Sequence, residues 1–172
     1  WAGNFSIHKG AHYLLSAWRQ LKPNAMLQIF GRIGVPDSLL KDLPDSIHLY
    51  GTVPRTELYE MYHQADVLIF PTLCDGFGMV VTEAFSQGLP VIVTDHAGAV
   101  DLVRDKINGL IVPAGNTEAL VEAIDWCIGH PCELQTMRKA ALETAANWQW
   151  SDYRSALVKN VVEGLIAAGY TQ

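Results

Sequence analysis

Two carboxylates, Asp75 and Glu83, flank a Gly-Phe-Gly turn in the stretch DGFGMVVTEAF, residues 75–85. The stretch follows DVLIFP, an apolar run typical of a buried strand, and the residues after it predict a helix that begins near Gly78 or Met79. The first N–H groups of a helix have no partner within it and attract anions, phosphate above all. Glycines leave this backbone open to a ligand. These residue types therefore indicate an anion site with a carboxylate on each side.

The two carboxylates suit hydroxyl groups rather than phosphate, because ionised oxygens are strong hydrogen-bond acceptors. Glu83 would lie roughly 6–7 Å along the helix axis, at about 1.5 Å per residue. A nucleotide sugar has the matching shape, with ribose on one side of its phosphates and hexose on the other. A simpler interpretation is that the acids only favour the helix dipole and that Gly-Phe-Gly is a tight turn. The spacing alone leaves both interpretations open.

Short apolar runs that alternate with helical patterns must position these residues. Strands are predicted over 26–30, 47–51, 66–70, 90–94 and 110–113, and helices over 11–21, over 55–65 with Thr56 as cap, and over 116–128 after an Asn or Thr cap. From about residue 131 the pattern predicts helices only. This alternation predicts an α/β fold with a doubly wound, Rossmann-like parallel sheet, whose binding sites lie at the carboxyl ends of the strands.

The composition narrows the function classes. The 172 residues suit one domain with a core of its own, and the net charge of −6 without a basic cluster disfavours nucleic acid as a partner. Three cysteines, Cys74, Cys127 and Cys132, fit no zinc or redox spacing and indicate a reducing compartment. No apolar run is long enough to span a bilayer, so we expect a soluble protein. The opening WAGN is typical of the end of a strand, which predicts a fragment.

The stretch PTLCDGFGMVVTEAFSQGLPVIVTDHAGAVDLV, residues 71–103, resembles the signature of the family 4, or group 1, retaining glycosyltransferases of GT-B fold. Their pattern is Glu, seven residues and Glu around Gly-Phe-Gly, followed by Gly-x-Pro-Val-Ile and a glycine loop. The resemblance continues in HKGAHYLLSAW, YGTVPRTELYEMYHQADVLIFP, NGLIVPAGNTEALVEAI and NWQWSDY. In register with the signature are Asp75, Gly76, Phe77, Gly78, Glu83, Ala84, Gly88, Pro90, Val91, Ile92 and Gly98.

The resemblance implies that residues 1–172 form the C-terminal, donor-binding half of a two-domain enzyme, with a helical extension from about 131 and the N-terminal acceptor domain absent. It implies that Glu83 binds the ribose and that Asp75 meets the donor hexose. Lys9 matches the lysine that steadies the diphosphate leaving group. The turn residues Gly76 and Phe77 belong to the same donor site, as do the backbone N–H groups of Gly78, Met79 and Val80 and the base-lining Val53.

Two positions depart from the family pattern. Asp75 is one methylene shorter than the usual Glu, and Asn4 stands where an arginine often contacts the phosphates. His8 replaces that charge only when it is protonated. On residue types alone, Arg55 belongs either to the donor site or to the solvated face of its helix, and His96 is either a ligand contact or an exposed loop residue.

The resemblance implies a nucleotide diphosphate sugar as donor, with UDP and GDP both open, and neither a metal nor another cofactor. The expected acceptor is a glycan or a lipid-linked saccharide. The expected location is the cytoplasm, with peripheral contact at the inner face of the membrane left open for the absent domain. Two alternatives stay open: a nucleotide-sugar epimerase of the same fold, and a nucleotide-sugar binding module without catalysis.

Overall fold

Strands and helices alternate through most of the chain in the computed structural model, which describes residues 1–148 and 150–169 but not the side chains of Trp150 and Asp152. The strands are β1 (Phe5–Ser6), β2 (Leu27–Phe30), β3 (Ile33–Gly34), β4 (Ile47–Gly51), β5 (Leu68–Phe70), β6 (Val91–Thr94) and β7 (Gly109–Val112). The helices are α1 (Ala11–Leu21), α2 (Asp37–Leu40), α3 (Arg55–Gln64), α4 (Met79–Ser86), α5 (Thr117–Gly129), α6 (Pro131–Asn147) and α7 (Trp150–Ala167), with a 3-10 turn at Gly98–Leu102.

The five predicted strands and three predicted helices are confirmed, whereas β1, β3 and α2 are too short for a periodic pattern to predict them. The predicted cap at Thr56 is wrong, because α3 begins at Arg55 and Pro54 holds the cap position. Asn116 does cap α5, since its side chain accepts a hydrogen bond from the N–H of Ala119 at 2.9 Å. Gln149 and the side chain of Trp150, in the predicted aromatic start of the last helix, lie outside the described residues.

The pairings between the named strands are all parallel in the described part of the chain: β1 with β3, β2 with β4, and β5, β6 and β7 in that order. Between β2 and β5 the ladder is interrupted, and β2 instead pairs on that side with the start of the chain through a bridge from Ala2 to Phe30. The parallel arrangement places the carboxyl ends of β5 and β6 beside each other, where the predicted site lies.

Apolar residues of the strands alternate between two cores, one on each face of the sheet. On β5, Ile69 packs into the core that contains α1 and α5, whereas Leu68 and Phe70 pack into the core that contains α4. The same alternation holds on β6, where Ile92 enters the first core and its two neighbours enter the second. Burial on both faces explains the continuous apolar sequence of these strands and confirms the doubly wound, Rossmann-like fold.

The two C-terminal helices, α6 and α7, differ in how much they pack against the rest of the domain. α6 packs against α4 and α5, and Arg138 of α6 donates hydrogen bonds to the carbonyl oxygens of Ala65 and His63 at the end of α3, at 2.7 and 3.1 Å. Apolar residues of α7 from Tyr153 to Ile166 are exposed instead. Among the described residues, no helix combines the length and apolar character that a membrane crossing requires.

A buried asparagine joins the loop before β7 to α6. Asn108 is fully buried, and its amide accepts from the N–H of Arg104 at 2.7 Å and donates to the carbonyl of Leu102 at 3.0 Å. It also donates to the hydroxyl of Thr144 at 2.9 Å. Removing this amide would leave the partners of three partly buried hydrogen bonds unsatisfied.

We therefore expect Asn108→Ala to lower the free energy of unfolding by about 2–4 kcal/mol in urea denaturation, because unpaired buried polar groups keep their desolvation cost. The matched control is Asn24→Ala, the same substitution at an exposed position. It should change the free energy of unfolding by less than about 0.5 kcal/mol. Equal effects of the two substitutions would contradict this account.

Candidate functional site

The turn before α1 is pressed against the loop that follows β5. Gly10 begins α1 with a φ of +74°, and a Cβ at this position would lie 1.8 Å from the carbonyl oxygen of Pro71. No side chain fits there, and the left-handed backbone also favours glycine. The N–H of Leu73 adds a hydrogen bond to the carbonyl of His8 at 3.1 Å. The close approach places Lys9 directly beside the β5 loop.

Lys9 and Asp75, which are 66 residues apart in the chain, form an ion pair as a result. Nζ of Lys9 lies 2.6 Å from Oδ2 of Asp75 and also donates to the carbonyl of Cys74 at 3.3 Å. Both side chains are about three-quarters buried, with 24% and 22% of their surface exposed. The two residues that the family resemblance places at the donor hexose and at the leaving group therefore meet in the structure.

Asp75 is further oriented by the backbone around it. Its Oδ1 accepts from the N–H of Phe77 at 3.1 Å, and its own N–H donates to the carbonyl of His96 at 3.2 Å. Burial raises the pKa of Asp75, but the hydrogen bond and charge of Lys9, together with the N–H groups of Phe77 and Gly78, outweigh burial and bring this pKa below its ordinary 3.8. The carboxylate is thus ionised and fixed in direction.

The loop after β6 supports the same turn from the other side. The N–H of Gly98 donates to the carbonyl of Asp75 at 3.0 Å, and the N–H of Ala99 donates to the carbonyl of Phe77. A Cβ at Gly98 would lie 2.3 Å from the carbonyl oxygen of Gly76, so only glycine allows this contact. The family glycine loop thus has a steric role, because it lets two loops at the carboxyl ends of β5 and β6 touch.

Helix α4 begins at the predicted place, immediately after this turn. Its cap residue is Gly78, with a φ of +89°, and no side-chain hydrogen bond caps the helix. The side chain of Met79 is 45% exposed, while that of Val80 is half-buried against the second core. The N-terminal N–H groups of α4 and the carboxylate of Asp75 therefore lie at the two ends of the Gly76–Gly78 turn.

Glu83 is paired with a residue that sequence reasoning left undecided. Its Oε1 lies 2.7 Å from Nη2 of Arg55, whose Nε donates to the hydroxyl of Tyr59 at 2.8 Å. The hydrogen bond that Arg55 donates to Tyr59 and the charge of Glu83 raise the pKa of Arg55. The guanidinium is well exposed, so solvent screens its charge and the ion pair is weak. Arg55 precedes Glu83 by 28 residues, and no local pattern relates the two positions.

The remaining predicted residues occupy more peripheral places. Val53 is half-buried against the second core, just before α3, and Asn4 is exposed at the start of β1. A ring nitrogen of His96, Nδ1, lies 3.0 Å from the carbonyl oxygen of Leu73, so this histidine bridges two loops. Cys74 is a free, exposed thiol. Within residues 1–148 and 150–169, no cluster of His, Cys, Asp and Glu has the geometry of a metal site.

A cavity of about 540 Å³ lies beside Glu83, between α3, α4 and the junction of α6 and α7. Arg55, Tyr59, Met79 and Trp148 line it together with Glu83. The ring of Trp148 also stacks on the ring of Phe77, with centroids 5.4 Å apart and an interplanar angle of 19°. The end of α6 is therefore attached to the Gly-Phe-Gly turn, a contact that sequence patterns do not indicate.

The fold and site together define a Rossmann-like α/β domain in which the start of α4, without a side-chain cap, lies near the carboxylates of Asp75 and Glu83. The family model described as "Glycosyl transferases group 1" matches residues 1–144. The chain therefore belongs to the group 1 glycosyltransferases, and its fold is that of the GT-B members. The expectation that rested on the signature motif is confirmed at this level.

Two relatives align in sequence with most of this chain. It is 28% identical to D-inositol 3-phosphate glycosyltransferase 1 of Catenulispora acidiphila over 184 residues, which cover 95% of this chain and 44% of that protein. It is 31% identical to an uncharacterized glycosyltransferase of Haemophilus influenzae, over 75% of this chain and 38% of that protein. The chain thus spans less than half the length of these relatives.

Solved structures of longer proteins also superpose on most of this chain. Sucrose-phosphate synthase of Thermosynechococcus elongatus superposes with a TM-score of 0.80 at 26% identity, over 96% of this chain and 44% of that one. Anabaena HepE in complex with UDP-glucose superposes with a TM-score of 0.77 at 21% identity, over 94% of this chain and 48% of that one. The second likeness is evidence for the fold alone.

The contact between Gly10 and Pro71 can be tested against a glycine with the same backbone strain. Gly10→Ala should lower the free energy of unfolding by more than about 3 kcal/mol. The strain of a left-handed backbone and the clash of the added Cβ with the carbonyl oxygen of Pro71 both contribute to this loss. Gly51 has a φ of +70° and no neighbour within 4 Å of an added Cβ, so Gly51→Ala should cost only about 1–2 kcal/mol. Urea denaturation measures both, and equal costs would show that the close approach is not tight.

The ion pair predicts a defined pH dependence of stability. Because the pKa of Asp75 is lowered in the folded protein, the unfolded chain binds the proton first, and the stabilisation is lost as the pH falls below 3.8. Asp75→Asn should therefore be less stable than the parent by about 1 kcal/mol above pH 5, with the difference shrinking below pH 4. In a Lys9→Met background this pH dependence should largely disappear. If the pH dependence persists unchanged in the Lys9→Met background, Lys9 is not its cause.

Proposed function

We propose that this chain is the donor-binding domain of a retaining glycosyltransferase, which transfers a sugar from a nucleotide diphosphate sugar to a glycan or a lipid-linked saccharide. One observation carries the proposal: Lys9, Asp75 and the uncapped start of α4 converge at the carboxyl end of β5. A cation, a fixed carboxylate and free N–H groups within one turn suit a ligand that carries phosphates beside hydroxyls.

The diphosphate would lie between Lys9 and the N–H groups of Gly78, Met79 and Val80. The ammonium group has three N–H donors, of which one contacts Asp75 and one the carbonyl of Cys74. The third can be offered to a phosphate oxygen without breaking the ion pair. Lys9 would then bridge the diphosphate and Asp75, so that the carboxylate keeps its position while charge develops beside it.

The donor hexose would lie against Asp75 and the Gly76–Phe77 turn. Asp75 already accepts from the N–H of Phe77, so its direction does not depend on the ligand. An ionised oxygen held in this way makes strong hydrogen bonds to sugar hydroxyls. Because its side chain is shorter than that of Glu, Asp75 requires the sugar to approach the turn more closely, which makes this position a determinant of sugar preference.

The nucleoside would lie on the side of Glu83 and Val53. Ribose hydroxyls would donate to the carboxylate of Glu83, while Arg55 holds that carboxylate from the other side. An exposed arginine pair costs little to rearrange, so the same guanidinium can turn toward a phosphate. Asn4 carries no charge, and it would contribute at most a neutral hydrogen bond at the position of the family arginine.

Bond breaking at the anomeric carbon leaves negative charge on the diphosphate. Lys9 and the start of α4 are aimed at that position before the reaction, so they stabilise the charge without reorganisation. We propose that this electrostatic stabilisation needs no metal ion. Addition of a chelator to the binding experiment below should then leave the affinity unchanged, whereas a metal-dependent site would lose it.

The acceptor and further catalytic groups would come from a second, N-terminal domain. The chain covers 44% of the length of the Catenulispora relative, so a comparable enzyme has room for such a domain. We propose a cytoplasmic enzyme whose absent half makes any contact with a membrane. The isolated 172 residues would then bind the donor weakly and show little or no sugar transfer.

Calorimetric titration with UDP, GDP, UDP-glucose and GDP-mannose tests the donor role. Glu83→Ala should weaken binding of the preferred nucleotide by about 10- to 100-fold, because a hydrogen bond to a charged group is lost. Lys9→Met should weaken binding of the nucleoside diphosphate by a similar factor but leave the binding of the nucleoside unchanged. Glu60→Ala, an exposed acid on α3, is the matched control and should bind as the parent does.

Several outcomes would contradict the assignment. If Glu83→Ala binds every ligand as tightly as the parent, the ribose role is wrong. Sugar transfer by the isolated chain at a rate typical of complete enzymes would remove the need for a second domain. Formation of an epimer from the donor without transfer would favour an epimerase. A complete protein that stays inactive after Asp75→Glu and Asn4→Arg would favour a binding module.

A further inference from the structure

A short two-stranded ladder brings the segment after β2 beside the first strand of the chain. β1 pairs with β3 in parallel, and Phe5 lies opposite Ile33. The N–H of Phe5 donates to the carbonyl of Arg32 at 2.8 Å, so Arg32 comes one step before this pair and lies opposite Asn4. Beyond the ladder, β1 leads directly into the turn that carries Lys9.

The two faces of this ladder differ in burial. Phe5 is fully buried and Ile33 packs against the same core, which contains α1 and α5. The residues next to them along each strand point to the opposite face, where Asn4, Arg32 and Gly34 are exposed. A Cβ at Gly34 would lie 3.0 Å from Oδ1 of Asn4, so the side chain of Asn4 lies over this glycine. Arg32, two residues before Gly34, projects from the same exposed face.

The turn before Arg32 is fixed by backbone contacts on both sides. Gly31 has a φ of +117°, and a Cβ at this position would lie 1.8 Å from the carbonyl oxygen of Gly3, so no side chain fits there. The N–H of Gly31 donates to the carbonyl of Gly51 at 2.6 Å. Arg32 therefore lies between the start of β1 and the end of β4, and Val53 follows the end of β4 by two residues.

Arg32 is close enough to Lys9 to share one ligand with it. At about 3.3 Å per residue along a strand and about 4.8 Å between strands, the Cα of Arg32 lies roughly 8 Å from the Cα of Ser6. The carbonyl of Ser6 in turn accepts from the N–H of Lys9 at 3.0 Å. The long side chains of Arg32 and Lys9 can therefore reach the two phosphates of one diphosphate.

The cations already placed at the site are each paired with a carboxylate. Asp75 cancels the charge of Lys9, and Glu83 cancels that of Arg55. The start of α4 adds the equivalent of only about half a positive charge, whereas a nucleoside diphosphate carries negative charge on both phosphates. The guanidinium of Arg32 is exposed, and its side chain makes no hydrogen bond or ion pair in the described part of the chain. Its charge is therefore available to such a ligand.

On the basis of the donor-binding function proposed above, we propose that Arg32 binds the phosphate next to the ribose. Arg32 lies between the turn of Lys9 and the segment of Val53, so it faces the phosphate on the nucleoside side, while Lys9 contacts the terminal phosphate. The planar guanidinium donates two parallel N–H groups to two oxygens of one phosphate. The positive charge that Asn4 lacks is thereby supplied by its neighbour across the ladder.

Calorimetric titration with uridine, UMP and UDP, and with guanosine, GMP and GDP, tests this role. Arg32→Gln should weaken binding of the preferred monophosphate and diphosphate by about 5- to 20-fold, because hydrogen bonds to a charged group are lost, and should leave binding of the nucleoside unchanged. Lys9→Met should instead weaken binding of the diphosphate much more than that of the monophosphate. Arg104→Gln, at an exposed arginine before β7, makes the same change in net charge and should bind every ligand as the parent does.

The remaining outcomes separate the role of Arg32 from the donor-binding function. The loss caused by Arg32→Gln should shrink when the salt concentration is raised from about 50 mM to about 300 mM, because exposed charges are screened. If Arg32→Gln binds the monophosphate as tightly as the parent or as Arg104→Gln, the role of Arg32 is wrong. The donor-binding function would then still stand, provided that Glu83→Ala weakens nucleotide binding. A parent chain that binds none of the six ligands would contradict the donor-binding function and the role of Arg32 with it.

Discussion

Gly10 begins α1 against the carbonyl oxygen of Pro71, with no room for a Cβ between them. This contact brings the first turn of the chain to the carboxyl end of β5, and the arrangement of the site follows from it. Lys9 can reach Asp75 only because the backbone beside it approaches so closely. Gly98 and Gly76 make an equivalent contact on the other side, so the Asp75 turn is held between two loops by glycines that act through the absence of a side chain.

The site combines two ion pairs that differ in how firmly they are held. Lys9 and Asp75 are mostly shielded from solvent and are held by further hydrogen bonds, so their positions are fixed before a ligand arrives. Arg55 and Glu83 pair through an exposed guanidinium, which can move at little cost. A rigid pair beside the proposed reacting sugar and an adjustable pair beside the proposed ribose would divide the site into a positioning half and a recognition half.

The strands beneath the site form two parts, with β5, β6 and β7 in one, and the pairs β2–β4 and β1–β3 in the other. Alternation of apolar residues between two cores makes β5, β6 and β7 rigid, and the Asp75 turn and α4 follow directly from this part. Lys9 belongs to the other part, which includes β1, β3 and the start of the chain. The ion pair of Lys9 with Asp75 therefore joins the two parts, beside the contact between Gly10 and Pro71.

Much of the fold could be predicted from the sequence, because the information is local. Apolar runs bounded by Gly, Pro or Asp predicted β2, β4, β5, β6 and β7, and helical spacing predicted α1, α3 and α5. The start of α4 after Gly78 was predicted for the same reason. The two-residue strands β1 and β3 could not be, since two residues carry no period, and Pro54 rather than Thr56 at the start of α3 shows how loosely cap residues can be inferred.

The candidate site was predicted in part. By itself the sequence determined the class of fold, the family and the set of residues around the Gly-Phe-Gly turn, because these depend on periodicity and on an ordered motif. Only the tertiary structure decided which charges meet: Lys9 with Asp75, Arg55 with Glu83, and Trp148 with Phe77. The physical reason is that these contacts join residues 28 to 71 positions apart, and the packing of whole elements sets such distances, whereas local sequence does not.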